Sequence, residues 1–376
     1  GLLAVLYTAS AQSYTFNHGP YLQELSEHAV TFVFTTSDKG FSWVEVKPDG
    51  GEAERHYTVR NGLRDAYNTF NVIRVENLRP DTRYQYRLCS KQIADFQPYK
   101  VTFGDSIVSP WRRFSTPDPK ATACSFIALS DMHQQPDKLG RLLNQAGVGS
   151  ADMIFYVGDM MNYYDNEETP FRSFIDKSVE LFASEKPFVL VRGNHETRGN
   201  MAREYARYVP KSSGKYYGAY RVGDIMFIVL DCGEDKPDDF WVYAGLTDFD
   251  GYRTEQAAWF GELIRSKAYK SAKWRIVMNH FPPLSHMESD NPERHGIQDI
   301  TDKFLPLYNQ AKIDLMISGH THAYEFMSPD KYDRLTFPVI VNSTESVARI
   351  DIDGRTLKAK VTDTGGNTLK EFTISK

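Results

Sequence analysis

Phe188-Val-Leu-Val-Arg-Gly-Asn-His-Glu196 is a short apolar run that breaks at a glycine and then delivers an amide, an imidazole and a carboxylate. Four apolar residues bounded by a turn signal read as a buried strand. The same grammar recurs four times. Cys124-Ser-Phe-Ile-Ala-Leu129 runs into Asp131-Met132-His133, and Asp152-Met-Ile-Phe-Tyr-Val157 into Gly158-Asp159. Trp274-Arg-Ile-Val-Met278 runs into Asn279-His280, and Ile313-Asp-Leu-Met-Ile317 into Gly319-His320-Thr321-His322. In open α/β sheets, sites form beyond the carboxyl ends of strands. Five such exits therefore outline one polar centre.

Between these strands the period changes to helical. Leu139, Leu142 and Leu143 share a face, as do Phe171, Phe174, Ile175, Val179 and Phe182. Thr254 is the expected N-cap of a further helix carrying Ala257, Phe260, Leu263 and Ile264. Tyr217 to Leu230 reads as a hairpin about Gly223-Asp224, and from Pro338 the chain is β again. Alternating strand and helix that ends in a β-meander predicts an α/β layered domain with a second sheet packed on the first.

The earlier part of the chain has no helical period. From Tyr14 to Thr116 short β-rich runs alternate with turn signals such as Pro48-Asp-Gly-Gly51 and Arg60-Asn-Gly62, the pattern of an antiparallel sandwich. Trp43 is expected between its sheets. Ser115-Thr-Pro-Asp-Pro-Lys120 is polar and carries two prolines, a stiff linker. The expected organisation is a sandwich over 14–116, a linker over 117–121 and the α/β domain over 122–376. Before it, Leu2-Leu-Ala-Val-Leu-Tyr7 followed by Ala9-Ser10-Ala11 reads as the tail of a secretory leader over 1–13, which predicts an exported protein, periplasmic or secreted.

Net charge −5 leaves no basic surplus, so neither nucleic acid nor anionic membrane is the expected partner. No apolar run is long enough for a membrane span. The three cysteines Cys89, Cys124 and Cys232 lie far apart, which excludes a zinc ribbon and a disulfide framework; they read as small buried residues. Asp231 to Asp239 reads as a solvated acidic loop.

The ligand chemistry of the five exits points to metal. Residues i and i+2 of an extended chain point the same way, so Asp131 and His133 can reach one ion, and His320/His322 repeat the spacing. A carboxylate has two oxygens, so Asp159 can serve two ions. Counted this way, Asp131, His133, Asp159 and His322 hold one ion, and Asp159, Asn194, His280 and His320 a second. Mixed nitrogen and oxygen donors suit iron, manganese or zinc, and the lack of cysteine ligands argues against a structural zinc site.

Taken together, Asp131-x-His133, Gly158-Asp159, Gly193-Asn-His-Glu196, His280 and Gly319-His-x-His322 resemble the calcineurin-like metallophosphoesterases. The resemblance implies a four-layer α-β-β-α sandwich, the same ligand set, and His195 beside the leaving group as general acid or charge stabiliser, with Glu196 supporting it. Leu78-x-Pro80-x-Thr82-x-Tyr84-x-Tyr86 resembles the tyrosine corner of fibronectin type III domains and implies a structural role for Tyr84. The pairing of the two domains resembles purple acid phosphatases. Two residues depart from that pattern. Asn162 stands where those enzymes carry a ligating tyrosine, with Tyr163 and Tyr164 shifted, and His133 is present where they lack a histidine. The arginine of the protein-phosphatase Gly-Asp-x-x-Asp-Arg-Gly run is absent too.

The expected chemistry is hydrolysis of a small phosphorylated substrate, a mono- or diester, by hydroxide between two ions. Asn194 is also a candidate substrate contact, and the long loop after His280 offers His286, Arg294 and His295 as further ones. A nucleotidase or pyrophosphatase with the same centre, and an exported binding protein with a vestigial centre, are the competing readings. The intact ligand set counts against the second.

Overall fold

The computed structural model describes residues 13–376. The leader reading over 1–13 therefore falls, but for Ser13, outside the described residues. The described residues up to Ser115 form an all-β sandwich. Its long strand Val30–Pro48 breaks register between Thr35 and Gly40, pairing with Asn68–Val75 before the break and Arg83–Gln97 after it. A single bent strand thus joins the two faces around a core of Phe32, Val44, Ile73, Tyr86 and Leu88. The Tyr84 hydroxyl accepts the Arg79 N–H at 2.8 Å, as the corner motif predicts. Trp43 does not lie in that core. Its neighbour Val44 does, so Trp43 faces the other way and is buried under Phe41, Tyr57 and Arg55.

The rest of the chain builds two six-stranded sheets. In the first, Ala123–Leu129, Met153–Tyr156 and Phe188–Leu190 run parallel. In the second, Ile225–Val229, Trp274–Met278, Leu315–Ser318 and Val339–Val341 run parallel. The sheets meet through Phe126, Phe155, Phe227, Trp274 and Ile340. Pro136–Gln145 and the helical turns of 171–183 cover the outer face of the first sheet; Phe249–Leu263 and Arg294–Ala311 cover the second. This is the expected four-layer sandwich, with strands buried on both faces and therefore apolar throughout. Cys89, Cys124 and Cys232 are free and buried. Among the described residues no helix is long and apolar enough to cross a membrane.

Two helical expectations shift. The helix expected from Thr254 starts at Phe249, five residues earlier, and the Thr254 hydroxyl instead bonds the Asp250 carbonyl at 2.9 Å. The missing cap comes from a distance: the Asp238 carboxylate accepts the N–H groups of Phe249 and Asp250, both at 2.8 Å. The segment at 171–183 is helical but underwound into wide turns on either side of Asp176–Ser178.

The sandwich packs against the first sheet at its edge. Gln23 donates to the Phe188 carbonyl at 3.1 Å, Tyr21 to that of Tyr208 at 2.8 Å and Tyr86 to that of Ser184 at 2.6 Å. Phe188–Leu190 is the edge strand of its sheet, so the sandwich shields an edge that would otherwise stay open and steadies the strand that leads to Asn194. His18 adds an ionic contact. Its ring stacks on Phe171 with centroids 3.9 Å apart, and its nitrogens lie 2.9 Å from Asp176 and 3.1 Å from Glu168. Burial lowers its pKa, but the Asp176 hydrogen bond and the two carboxylate charges outweigh that and raise it above the ordinary value. A raised histidine stabilises the folded state below its unfolded pKa, about 6.5, and the contribution disappears as pH rises through the folded value. Wild type is thus expected to exceed His18→Gln by about 1 kcal/mol or less at pH 5.5. At pH 8.5 the gap should close, as thermal melts of the two proteins at each pH would read.

Candidate metal centre

The carboxyl ends of both sheets point to one place. The first sheet delivers Asp131 and His133 after Leu129, Asp159 after Tyr156, and Asn194 and His195 after Leu190. The second delivers His280 after Met278, and His320 and His322 after Ser318. Asp131, His133, Asp159 and His322 offer ligand atoms all within 4.8 Å of one another, and so do Asp159, His280 and His320. Asp159 belongs to both groups. Asn194 joins the second: its Oδ1 lies 3.2 Å from His320 Nδ1.

The backbone achieves this by a route that pleating does not describe. Asp131, His133, Asp159, His320 and His322 all have φ between +45° and +73°. Left-handed conformations are uncommon outside glycine and mark places where the surroundings impose strain. Three of the five strand exits therefore end in a tight left-handed turn. Asp131 and His133 converge through that turn, while His320 and His322 diverge to different groups. Gly158, at φ +89°, and Gly193 have no room for a Cβ, which would strike His280 and Asp159 respectively.

Two of the histidines, His280 and His133, are aimed by a bond on their other side. His280 Nδ1 donates to the Val157 carbonyl at 2.7 Å, leaving Nε2 without a hydrogen-bond partner in a fully buried position, 3.1 Å from Asp159 Oδ2. That separation is short, but the direction is not that of a hydrogen bond. His320 Nε2 is also buried and unpartnered. His133 Nδ1 faces Asn162 Oδ1 at 3.2 Å, which turns its Nε2 toward His322 Nε2, 3.0 Å away. Asn194 Nδ2 lies 3.4 Å from Asp235 Oδ2, so its oxygen faces the centre. Orphaned imidazole nitrogens and facing lone pairs around a shared carboxylate fit cations, since buried polar atoms otherwise find partners.

The electrostatics agree. Burial holds His133 down at about 4 and His320 at about 3, so both present lone pairs at neutral pH. Asp131 is pushed up to about 7, by burial and by the charge of Asp159. Burial acts upward on Asp159 too, but the neighbouring His280 overrides it and holds Asp159 well below the carboxylate range. His280, in turn, is raised to about 10 by Asp159 despite burial. Buried carboxylates with a single imidazolium as counter-charge are what a cation site looks like without its cations.

Several residues outside the expected ligand set hold this arrangement. Ser130 Oγ and the His320 N–H, at 3.0 Å, both donate to Asp131. Asn162 orients two histidines, His133 through its side chain and His195 through its carbonyl, 2.7 Å from His195 Nδ1. Glu196 is fully buried and turns away from the His195 ring; its carboxylate accepts the N–H groups of Asp159, Met160 and Gly193 at 2.9, 2.7 and 2.8 Å. The acidic stretch is not solvated. Asp231, Glu234 and Asp235 are buried, pairing with Arg192 at 2.8 Å and Arg198 at 2.7 and 3.3 Å. Their partners stand some forty residues earlier, out of reach of a local reading. Tyr164 packs against Tyr208 in the core and Tyr163 is exposed; neither belongs to the ligand groups.

The loop candidates have partners of their own. His295 is tied to Asp250 at 2.8 Å and His286 to Glu325 at 3.3 Å. His286 and Arg294 line a separate cavity of about 230 Å³ with Lys331 and Arg334. The helix beginning at Arg294 directs His295 toward the neighbouring helix at Asp250.

A four-layer sandwich that gathers two groups of ligand-type side chains at its strand ends defines a metal-dependent hydrolase. The chain belongs to the calcineurin-like phosphoesterase family, whose sequence profile matches residues 124–324. It is 22% identical to purple acid phosphatase 21 of Arabidopsis thaliana over 277 residues, 70% of this chain and 55% of that protein. It is 23% identical to purple acid phosphatase 1 of Ipomoea batatas over 264 residues, 67% and 50% of the two chains. The chain spans about half the length of the curated relatives it matches. Two solved structures share the fold across 95% of this chain: the yellow lupin purple acid phosphatase PPD1, with TM-score 0.69, 15% identity and 74% of its chain covered, and PhoD, with 0.63, 13% and 89%. The N-terminal all-β domain thus falls within the shared architecture.

Proposed function

We propose that the protein hydrolyses phosphate esters of small molecules at a dinuclear centre. Asp131, His133, Asp159 and His322 would hold one ion, and Asp159, Asn194, His280 and His320 the other. The observation that carries this reading is the membership of Asp159 in both ligand groups. Mixed imidazole, carboxylate and amide donors favour iron, manganese or zinc. When bound, such ions supply a nucleophile from water at neutral pH and neutralise charge on the phosphoryl group. The chain's own residues do the rest. Asn162 and the Val157 carbonyl fix the imidazoles, Asp235 turns the Asn194 oxygen inward, and His195 stands beside the centre, 3.9 Å from Asp159.

We read residues 14–116 as a fibronectin type III-like sandwich, supported by the Tyr84 corner bond, 117–121 as the linker and 122–376 as the catalytic domain. The apolar run at Leu2–Tyr7 with Ala9-Ser10-Ala11 supports export.

Elemental analysis of the purified protein should find about two transition-metal ions per chain. Hydrolysis of chromogenic mono- or diesters should stop on chelation and return on adding metal back. A protein that holds no ion, or one that keeps its activity in excess chelator, would remove this reading.

A further inference from the structure

His195 sits between two partners of fixed character. On one side its Nδ1 lies 2.7 Å from the Asn162 carbonyl oxygen, which can only accept, so Nδ1 carries the hydrogen. On the other side Arg198 Nη1 lies 3.0 Å from Nε2. A guanidinium can only donate, so Nε2 is the acceptor. The two bonds together aim Nδ1 at the Asn162 carbonyl and leave Nε2 accepting from Arg198. The cation beside the centre is Arg198.

Arg198 is itself held on three sides. Its Nε and Nη2 bond the two oxygens of Glu234 at 2.7 and 3.0 Å, and Nη2 also reaches Asp235 Oδ2 at 3.3 Å. Glu234 is buried and receives the Tyr243 hydroxyl at 2.9 Å. Its backbone carbonyl is gripped at 3.1 Å by Arg253, a guanidinium with no exposed surface. A planar fork pinned at Nε and Nη2 leaves Nη1 in one orientation. One Nη1 hydrogen goes to His195; among the described residues the other has no acceptor. It lies beside an imidazole whose Nε2 is 3.9 Å from Asp159.

We propose that Arg198 is the donor that meets the substrate's phosphoryl oxygen, and that His195 is a positioning residue that holds it there. This rests on the phosphoesterase reading above. It makes Arg198 the catalytic residue of the pair and gives His195 the part of the acceptor that aims it. Preorganised donors of this kind stabilise charge without reorganising during reaction.

The test is a double-mutant cycle on the metal-loaded protein with two monoesters, 4-nitrophenyl phosphate and an alkyl phosphate. Arg198→Gln and His195→Ala are each expected to lower kcat/KM by about 100-fold. The double variant should lose no more than about threefold beyond either single, because the residues act as one unit. The losses should be equal on the two esters, since charge stabilisation at the phosphoryl group does not depend on the leaving group's basicity. Arg198→Lys keeps the charge but cannot fork Glu234 and reach His195 together, and should fall near Arg198→Gln. Metal content is measured for every variant, and all should match wild type. Multiplicative losses overturn the proposal. A His195→Ala loss that grows with leaving-group basicity makes His195 the proton donor and overturns it as well. Wild-type rates in both single variants end this inference and leave the phosphoesterase reading standing. A wild-type protein that hydrolyses neither ester ends both.

Discussion

Asp159→Asn is expected to cut bound metal from about two ions per chain to less than one, and to lower kcat/KM by about 1,000-fold or more. No other side chain belongs to both ligand groups. Loss of His322, whose side chain is 53% exposed and which serves one group only, should release one ion and spare the other. The asparagine is the informative substitution because it keeps the shape and the oxygen that accepts the His195 N–H at 3.0 Å, so the Gly193 turn stays in place. What it removes is the carboxylate charge that raises His280. The consequence extends to stability. A ligand that binds only the folded state adds about 2.7 kcal/mol at a hundred times its Kd, so wild type should melt higher with metal than without. For Asp159→Asn the two melts should coincide. Two ions per chain in that variant would show that Asp159 bridges nothing.

The centre was legible because each ligand closes an apolar strand, and strands buried on both faces advertise themselves as continuous runs. The geometry behind it was not. Spacing of two along a pleated strand brings Asp131 and His133 to one ion for the wrong reason: both are left-handed, and the same spacing sends His320 and His322 apart. Left-handed turns at non-glycine residues are imposed by tertiary packing and leave no trace in composition. The supporting partners were hidden for a related reason. Asn162 stands one strand away from the histidines it orients, and Arg198 precedes Glu234 by thirty-six residues. An acidic run looks solvated until its arginines are known. Helix starts failed likewise where the cap is remote, Asp238 doing for Phe249 what Thr254 was expected to do locally. Trp43 shows the limit of period-two reading: the alternation was right, but which face met the other sheet was not. Local pattern carried the strands and the candidate ligand groups, and long-range polar contacts carried what orients them.

Glu196 gives the sharpest case of such a contact and the second large effect. Its carboxylate is fully buried and gathers the N–H groups of Asp159, Met160 and Gly193, binding the turn after one strand to the turn after the next. These donors belong to left-handed or glycine turns that cannot bond to a sheet neighbour, so the carboxylate completes them. Removing it leaves three buried N–H groups unsatisfied at about 1–3 kcal/mol each, less whatever water recovers. Glu196→Ala is expected to lose about 3 kcal/mol in the metal-free protein, read by urea unfolding. Metal affinity should fall by about 10- to 100-fold as the turns loosen. Glu196→Gln keeps one acceptor oxygen but turns an amide NH2 against donors, and should lose about half as much stability. Because the carboxylate makes no hydrogen bond to the His195 ring, kcat of metal-saturated Glu196→Gln should stay within about tenfold of wild type. A residue acting on catalysis through His195 would reverse that order, with kcat collapsing while the urea midpoint held. Unfolding of metal-free Glu196→Ala at the wild-type urea concentration would mean that the two turns hold without it.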